Sequence, residues 1–364
     1  MAERVLVCMS GGVDSTVAAL LLKNEGYEVE AVTFWFWSFP GAPDYTGRTK
    51  CCSLDAAALA ASELGIPHRT IDASELFYEH VLRDFVTRYR CGETPNPCGR
   101  CNRYLRFGLA FRRAQQEGFD RIATGHHARI VPNGTGRLQL HRGADPNKDQ
   151  SYFLYGLKEE QLAQLIFPVG DLTKEDVFAI ARECKLHAAS LPESQDLCFA
   201  RDGRFEFLFG AEDFTPGPIV DLAGRVLGRH EGLPRYTIGQ RRGLGISSTQ
   251  PLYVVAIDRE RNALTVGEER DLYATALEAS EASFLSGAAP AKGSQISAKI
   301  RYRSPAFSAV FHPLTQARFS LTFAQPQRAV TPGQIVALYD GERLLGGGTI
   351  ERSIDLAANS NQKG

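Results

Sequence analysis

The stretch that most constrains the fold lies near the start of the chain, where an apolar run leads through a polar turn into a helical pattern. Residues 5–9 form a short continuous apolar run, typical of a strand buried on both faces of a parallel sheet. Residues 16–22 have the pattern of a helix. The turn between them contains Ser10, Gly11, Gly12, Asp14 and Ser15. Glycines allow close backbone approach to a ligand, and hydroxyls and helix-start amides bind anions, so the turn is predicted to hold a phosphate.

Two familiar phosphate-binding motifs do not fit this turn. It lacks the Gly-Lys-Ser/Thr ending of the Walker loop, and it lacks a G-x-G-x-x-G dinucleotide fingerprint. The turn resembles the pyrophosphate loop of the ATP-pyrophosphatase superfamily, whose signature is S-G-G-x-D-S. That resemblance implies that ATP is cut between its alpha and beta phosphates and that the substrate is activated as an adenylate. The alternative interpretation is an ordinary strand-to-helix turn in which Asp14 or Ser15 caps the helix.

Length and pattern together predict several domains. At 364 residues the chain is long for one core, so two or three domains are expected. Alternating strand and helix patterns in the first part predict an α/β domain with a doubly wound parallel sheet, whose ligands bind beyond the carboxyl ends of the strands. Glycine-rich sequence and then short strands with turns predict a small β-rich central domain and a C-terminal β-barrel. The predicted boundaries are 1–204, 205–275 and 276–356, followed by a disordered tail at 357–364.

Charge and hydropathy narrow the classes of partner. A net charge of −1 gives no global case for a nucleic-acid partner, so RNA contact must come from local clusters. No secretory signal and no apolar stretch long enough for a bilayer are visible, so a cytoplasmic location without membrane association is expected. Residues 100–113 contain five arginines and no acidic residue: Arg100, Arg103, Arg106, Arg112 and Arg113. This cluster is predicted to contact RNA phosphates, and the alternative is a solvated helix surface.

The cysteines point to metal binding or catalysis. Eight cysteines are too few for a disulfide scaffold in a chain of this length. Cys98 and Cys101 form a C-x-x-C pair at the start of a predicted helix, where the helix dipole and nearby arginines favour a reactive thiolate. Cys198 lies in a second polar loop. Only one close pair is visible, so redox or cluster chemistry is favoured over structural zinc.

An ordered set of motifs resembles a known family, the bacterial tRNA-specific 2-thiouridylases. The motifs cover about residues 9–348 in the family's order, and any one of them alone would be weak. They are Met-Ser-Gly-Gly-Val-Asp-Ser at 9–15, Thr-Pro-Asn-Pro at 94–97 with Cys-Asn at 101–102, Ala-Thr-Gly-His at 123–126, Asn-Lys-Asp-Gln-Ser-Tyr-Phe-Leu at 147–154, Cys-Phe at 198–199, Gly-Gln-Arg-Arg-Gly-Leu-Gly at 239–245 and Thr-Pro-Gly-Gln at 331–334.

The resemblance implies an ATP-dependent enzyme that places sulfur on C2 of the wobble uridine of tRNA through an adenylated uridine. The implied site for ATP with Mg2+ comprises Cys8, Met9, Ser10, Gly11, Gly12, Val13, Asp14, Ser15, Phe34 and Gly125. The target base would meet Asn96, Pro97 and Cys98, and the implied tRNA contacts are Lys148, Asp149, Gln150, Arg301 and Tyr302. Cys101 occupies the position of the family's nucleophile. Cys198 occupies that of the cysteine that receives sulfur as a persulfide, from a sulfur-carrier protein or a sulfide donor.

One departure from the family pattern leaves the sulfur chemistry open. Position 98 is often an aspartate in this family and is a cysteine here. Cys98, Cys101 and Cys198 are therefore candidate ligands for three irons of a four-iron cluster, as in related thiouridine synthetases. The alternative is the persulfide route, which leaves a Cys101–Cys198 disulfide for a reductant to reopen.

Two other functions remain as alternatives to tRNA thiolation. One rival is an adenylating ligase of the same superfamily that acts on a small metabolite and does not need the cysteines. The other is a non-catalytic RNA-binding protein whose cysteines hold a structural metal. The free protein is expected to be a monomer.

Overall fold

The structure is a computed structural model that describes residues 2–37, 54–193, 197–200 and 204–355. Its strands are β1 (Arg4–Cys8), β2 (Glu28–Trp35), β3 (His68–Asp72), β4 (Arg121–Thr124), β5 (Ala128–Pro132), β6 (Leu138–Arg142), β7 (Leu165–Ile166), β8 (Gly217–Val220), β9 (Val226–His230), β10 (Tyr253–Asp258), β11 (Ala263–Gly267), β12 (Tyr273–Phe284), β13 (Gln295–Lys299), β14 (Phe307–Thr315), β15 (Arg318–Arg328), β16 (Ile335–Asp340) and β17 (Arg343–Ile354). The α-helices are α1 (Val13–Asn24), α2 (Leu54–Leu64), α3 (Ser74–Phe77), α4 (Arg83–Arg90), α5 (Pro97–Arg100), α6 (Phe107–Glu117), α7 (Glu159–Leu162) and α8 (Lys174–Glu183).

The N-terminal part is built on a parallel sheet with strand order β3-β2-β1-β4-β7. The order reverses between β1 and β4, since β2 and β3 lie to one side of β1 and the later strands lie to the other. Such a reversal opens a crevice at the carboxyl ends of the two central strands. The turn at 9–12 leaves β1 at that edge, and Gly125 follows β4 at the same edge.

Helices cover both faces of this sheet, which confirms the doubly wound prediction. Val5, Val7 and Met9 pack on one face against α1, α2 and α8. Leu6 and Cys8 point to the other face, where they join the core formed with α3, α4 and α6. Because successive strand residues alternate between faces, a continuous apolar run is what a strand buried on both sides requires.

Two π-helical stretches interrupt the helices on that second face. Tyr78–Leu82 links α3 to α4, and Cys101–Arg106 links α5 to α6. Stretches of this kind occur often at functional sites, because the extra residue in the turn changes the direction of the side chains that follow. Here one of them begins at a cysteine of the C-x-x-C pair.

The rest of the described chain is β-rich, as predicted. A small sheet with the order β10-β11-β8-β9 forms the central part. Six antiparallel strands then close into a barrel in the order β12-β15-β14-β13-β16-β17, and β12 pairs with β17 to complete it. The β5–β6 hairpin of the N-terminal part extends this sheet beside β17. None of the helices within the described ranges has the length and apolar character that a membrane crossing requires.

The outer face of the barrel shares a core with the N-terminal part. Ile335, Ala337 and Tyr339 of β16 belong to the same buried cluster as Tyr152 and Tyr155. The Tyr152 hydroxyl donates a hydrogen bond of 2.8 Å to the Ile335 carbonyl oxygen. Burial of a large apolar side chain stabilises a fold by about 1.5–3 kcal/mol, so this contact is a substantial part of what holds the barrel in place.

Candidate active site

A cavity of about 1290 Å³ opens at the carboxyl edge of the parallel sheet and is closed on another side by the barrel. Many of the residues that the sequence singled out line it: Cys8, Met9, Ser10, Gly11, Gly12, Val13, Asp14, Ser15, Phe34, Pro97, Cys98, Cys101, Gly125, Lys148, Asp149, Gln150, Cys198 and Tyr302. Asn96 and Arg301 do not line it. The predicted phosphate turn, the three cysteines and most of the tRNA contacts implied by the family resemblance therefore face one space.

The turn after β1 keeps its helix-start amides clear of side-chain caps. Gly12 is the N-cap residue of α1 and has no side-chain cap hydrogen bond. The Ser15 hydroxyl donates to the Gly12 carbonyl oxygen at 3.0 Å, and the Asp14 carboxylate points to other partners. The alternative interpretation, in which Asp14 or Ser15 caps the helix, is therefore wrong. Uncapped amides at a helix start form an anion-binding site.

Two glycines are required here by space. Gly11 has φ +82°, and a Cβ at this position would lie 2.7 Å from the Ala57 amide nitrogen. A Cβ on Gly125 would lie 2.6 Å from both the Asp14 carbonyl carbon and the Ser15 amide nitrogen. The backbone after β4 is thus packed directly onto the start of α1, which fixes the shape of the predicted phosphate turn.

A charged network surrounds Asp14. Its Oδ1 accepts hydrogen bonds from Lys174 Nζ at 2.6 Å and from His127 Nε2 at 3.2 Å. Glu193 forms an ion pair with Lys174 Nζ at 2.9 Å through Oε1, and its Oε2 accepts a hydrogen bond from Lys148 Nζ at 2.7 Å. Burial alone would raise the pKa of the Asp14 carboxyl, but the His127 and Lys174 contacts outweigh burial and hold that pKa below its ordinary value. Asp14 is therefore an ionised carboxylate beside the phosphate turn at neutral pH.

The neighbouring His126 is a buried packing residue and does not belong to the charged network around Asp14. It is buried, its Nδ1 lies 2.7 Å from the Thr124 hydroxyl, and its ring stacks on Phe107. Burial, assisted by the positive charge of Arg106, lowers the pKa of His126 to about 3. The imidazole is therefore neutral, which suits packing and not the binding of a phosphate by charge.

The loop that carries Cys98 and Cys101 is shaped by its own sequence. Asn96 is the N-cap of α5, and its side chain accepts a hydrogen bond of 3.2 Å from the Cys98 amide. Pro97 occupies the first helical turn, where its missing N–H leaves no bond unmade. Asn96 therefore lies outside the cavity as a capping residue, while Pro97, Cys98 and Cys101 face it. A direct contact of Asn96 with the base stays a prediction.

The barrel holds this loop from outside. Thr94 donates its amide to the Pro332 carbonyl oxygen at 2.8 Å and accepts from Gln334 Nε2 at 2.7 Å. A Cβ on Gly99 would lie 2.4 Å from the Ile335 Cδ1 atom. The Thr-Pro-Gly-Gln motif at 331–334 thus fixes the position of the cysteine loop through hydrogen bonds to Thr94.

An ion-pair network fixes the same loop from another direction. Glu281 lies at a bulge of β12 with φ +51°, and it accepts hydrogen bonds from Arg88 at 3.1 Å and Arg100 at 3.3 Å. Thr349 donates to the same carboxylate at 2.8 Å. Arg100 also pairs with Asp84 at 3.2 Å. The Arg100 guanidinium, which lies between the two cysteines in the sequence, is therefore already paired inside the protein. Contact of Arg100 with RNA phosphate stays a prediction.

We expect Glu281→Gln to lower the free energy of unfolding by about 1.5–3 kcal/mol, since hydrogen bonds to charged groups contribute about this much. Alkylation of Cys98 by iodoacetamide should also become faster, because the loop loses one of its anchors. Urea titration and a timed mass-spectrometric assay measure the two effects. Glu269→Gln is the matched control, because Glu269 pairs with Arg328 on the surface, where such pairs contribute little. Equal stability of the two variants would refute the anchoring role.

The three cysteines do not form a metal-binding group as placed. Cys8, Cys91, Cys98, Cys101, Cys184 and Cys198 are not in disulfides within the described ranges. In the same ranges, no three His, Cys, Asp or Glu side chains are grouped closely enough to hold a metal ion. The predicted ligand set of Cys98, Cys101 and Cys198 for an iron–sulfur cluster does not fit this geometry, and the predicted Cys101–Cys198 disulfide is not present.

Three of the other predicted tRNA contacts are hydrogen-bonded within the protein, and Tyr302 lines the cavity. The Asp149 side chain is 3% exposed and accepts hydrogen bonds from the amides of Gly143 and Ser151, so it stabilises its own loop. Gln150 accepts from the His127 amide at 3.0 Å. Arg301 donates to the Ala329 carbonyl oxygen at 2.8 Å and lies outside the cavity, whereas Tyr302 lines it. Contact of Asp149 and Arg301 with tRNA stays a prediction, and both side chains are already used within the protein.

A doubly wound α/β domain whose glycine-rich turn faces a cysteine loop under a β-barrel is the arrangement expected from the resemblance to the ATP-pyrophosphatase superfamily. Three family profiles match consecutive parts of the chain: a tRNA methyl transferase HUP domain at residues 3–202, a tRNA methyl transferase PRC-barrel domain at 206–268 and an aminomethyltransferase beta-barrel domain at 274–350. Proteins named tRNA-specific 2-thiouridylase MnmA are similar over nearly the whole length.

The similarity is 47% identity with the protein of Moorella thermoacetica, over 95% of this chain and 99% of the relative. It is 44% with that of Desulforamulus reducens, over 97% and 98% of the two chains. It is 43% with that of Roseiflexus castenholzii, over 96% and 99%. The chain belongs to the tRNA-specific 2-thiouridylase family.

Proposed function

We propose that this chain is an ATP-dependent tRNA-uridine 2-sulfurtransferase that converts the wobble uridine of tRNA to 2-thiouridine. The observation that carries the proposal is that the uncapped phosphate turn and Cys98, Cys101 and Cys198 line one cavity. A turn of this kind alone would fit any adenylating enzyme. Cysteines opposite it fit an enzyme that delivers sulfur to the activated atom. The family relationship supports tRNA uridine as the substrate.

The first half of the reaction activates the base. The uridine O2 oxygen attacks the alpha phosphorus of ATP, the bond to the bridging oxygen breaks, and pyrophosphate leaves. The amides at the start of α1 would hold the departing pyrophosphate, and Lys174 and Lys148 would offset its charge. Mg2+ binds carboxylate and phosphate oxygens, and Asp14 is the carboxylate on the turn that could share the ion with ATP. The product is a uridine that carries AMP on O2.

The second half delivers sulfur. We propose the persulfide route, in which the terminal sulfur of a Cys198 persulfide attacks C2 and AMP leaves with the former O2 oxygen. The Cys101 thiolate then attacks Cys198 Sγ, the persulfide S–S bond breaks, and its electron pair stays on the sulfur now bound to C2. The resulting Cys101–Cys198 disulfide accepts two electrons from a dithiol reductant. Support comes from Cys101 and Cys198, which line the cavity and are not in disulfides.

The supply of sulfur and the domain limits complete the proposal. A carrier protein that bears a persulfide would load Cys198, and the enzyme would be a monomer in the absence of tRNA. The domains would divide at 204/205 and 275/276. The spans of the three family profiles support this division.

The decisive experiment supplies the protein with unmodified tRNA, ATP, magnesium and either a persulfide donor or sulfide, followed by mass spectrometry of the nucleosides. We expect 2-thiouridine to accumulate only with ATP and to be accompanied by one pyrophosphate for each sulfur transferred. A protein without catalytic function would release no pyrophosphate. A ligase for a small metabolite would release pyrophosphate without tRNA and form no 2-thiouridine.

A further inference from the structure

Lys299 lies where the barrel completes the cavity. It is the last residue of β13, and it pairs with Ala337 of β16, the strand whose outer face packs on the N-terminal part. Ala298, its neighbour, points into the barrel core. Because side chains alternate along a strand, Lys299 points away from the barrel core. Its side chain lines the cavity between the barrel and the N-terminal part.

Lys299 is a largely buried residue that lines the cavity, and its ammonium has no acceptor among the described residues. The residue is 6% exposed, and no hydrogen bond or ion pair joins its Nζ to another group within the described ranges. The ring of Tyr302 lies 5.8 Å from Nζ. The carboxylate of Asp149 attracts Lys299 from a distance, but its oxygens accept from Gly143, Ser151 and Arg142. A cation that lines a cavity and is not paired with a carboxylate is available to an anionic occupant, because partial burial strengthens its attraction for a charged oxygen.

The other lysines of the cavity differ from Lys299 in this respect. Lys174 is paired with Asp14 and Glu193, and Lys148 is paired with Glu193. These two lysines therefore share their charge between protein carboxylates and any phosphate that binds, whereas Lys299 has no carboxylate partner of its own. Burial also lowers the pKa of Lys299, an effect that an anion bound at Nζ would oppose.

We propose that Lys299 is the barrel's contribution to a phosphate subsite in this cavity, which the turn at 9–12 also lines. The inference rests on the proposed function and deepens it, because two molecules bring phosphate groups into the cavity in that reaction. One is ATP, whose alpha phosphate remains as AMP on the uridine. The other is tRNA, which has a phosphodiester beside the target uridine. The shared chemistry is a phosphate oxygen that accepts from the Lys299 ammonium.

The test compares Lys299→Met with Lys299→Arg, and it uses Lys292→Met as the control because Lys292 is exposed on the same barrel. Calorimetry measures the affinity of each variant for ATP without tRNA, and filter binding measures the affinity for unmodified tRNA across a range of salt concentrations. Loss of a hydrogen bond between charged groups corresponds to about tenfold or more in affinity. Thermal unfolding of every variant shows whether the fold is kept.

Each outcome has a defined meaning. A loss of ATP affinity in Lys299→Met, restored by arginine, places a nucleotide phosphate at Lys299. Unchanged ATP affinity with weaker tRNA binding, and a salt slope shallower by about 0.7, places an RNA phosphodiester there. Unchanged affinity for both ligands in a folded Lys299→Met protein overturns the subsite. These binding measurements do not depend on sulfur transfer, so failure of the proposed thiolation is seen separately, as absence of 2-thiouridine from the unaltered protein.

Discussion

Serine in place of Cys101 or Cys198 is expected to reduce formation of 2-thiouridine by about 1000-fold or more, because loss of a covalent nucleophile typically has effects of this size. A serine hydroxyl carries no persulfide and forms no disulfide, so sulfur is neither delivered nor released. Adenylation should persist, because it uses the turn at 9–12 and not the thiols. Nucleoside mass spectrometry measures thiolation, and pyrophosphate release in the presence of tRNA measures adenylation.

Two further variants make the cysteine prediction sharp. Cys184→Ser is the control, because Cys184 is exposed at the end of α8 and does not line the cavity. Cys98→Asp introduces the residue that the family often has at this position. The persulfide route expects Cys98→Asp to keep most of the activity, because only Cys101 and Cys198 exchange electrons in it. A loss in Cys98→Asp as deep as in Cys101→Ser would contradict that route and would require three cysteines to act together.

The parts of the site that depend on local sequence could be predicted. Ser10, Gly11 and Gly12 lie within one turn, so their chemistry and spacing are visible without a structure. Gly125 could be joined to them because the carboxyl ends of parallel strands meet at one edge, although β1 and β4 are separated by more than a hundred residues. The fold class followed for the same reason, since buried strands and their crossover helices leave periodic patterns.

The parts that depend on distant pairing could not be predicted. Lys174 lies 160 residues from Asp14, and no local pattern indicates that the two meet. Arg100 looked available for RNA because its sequence neighbours are not acidic, yet Glu281 reaches it from 181 residues away. Lys299 is a single lysine in a strand, and only the packing of the barrel shows that it lines the cavity. The sequence shows which charged residues are present and how they are spaced. Only the tertiary fold shows which of them are paired with other residues and which are available for a ligand.

Gly125→Ala is expected to weaken ATP binding by about 10- to 100-fold, since overpacking at a rigid contact costs about 1–3 kcal/mol. The methyl group would lie 2.6 Å from the Asp14 carbonyl carbon and the Ser15 amide nitrogen, and these are backbone atoms that cannot rotate away. The start of α1 must therefore move, and the amides that hold the phosphates move with it. Gly134→Ala is the matched control, because a Cβ there meets no atom within 4 Å. Calorimetric ATP affinities that are equal in the two variants would show that the turn does not depend on the contact with Gly125, and that the phosphates bind elsewhere in the cavity.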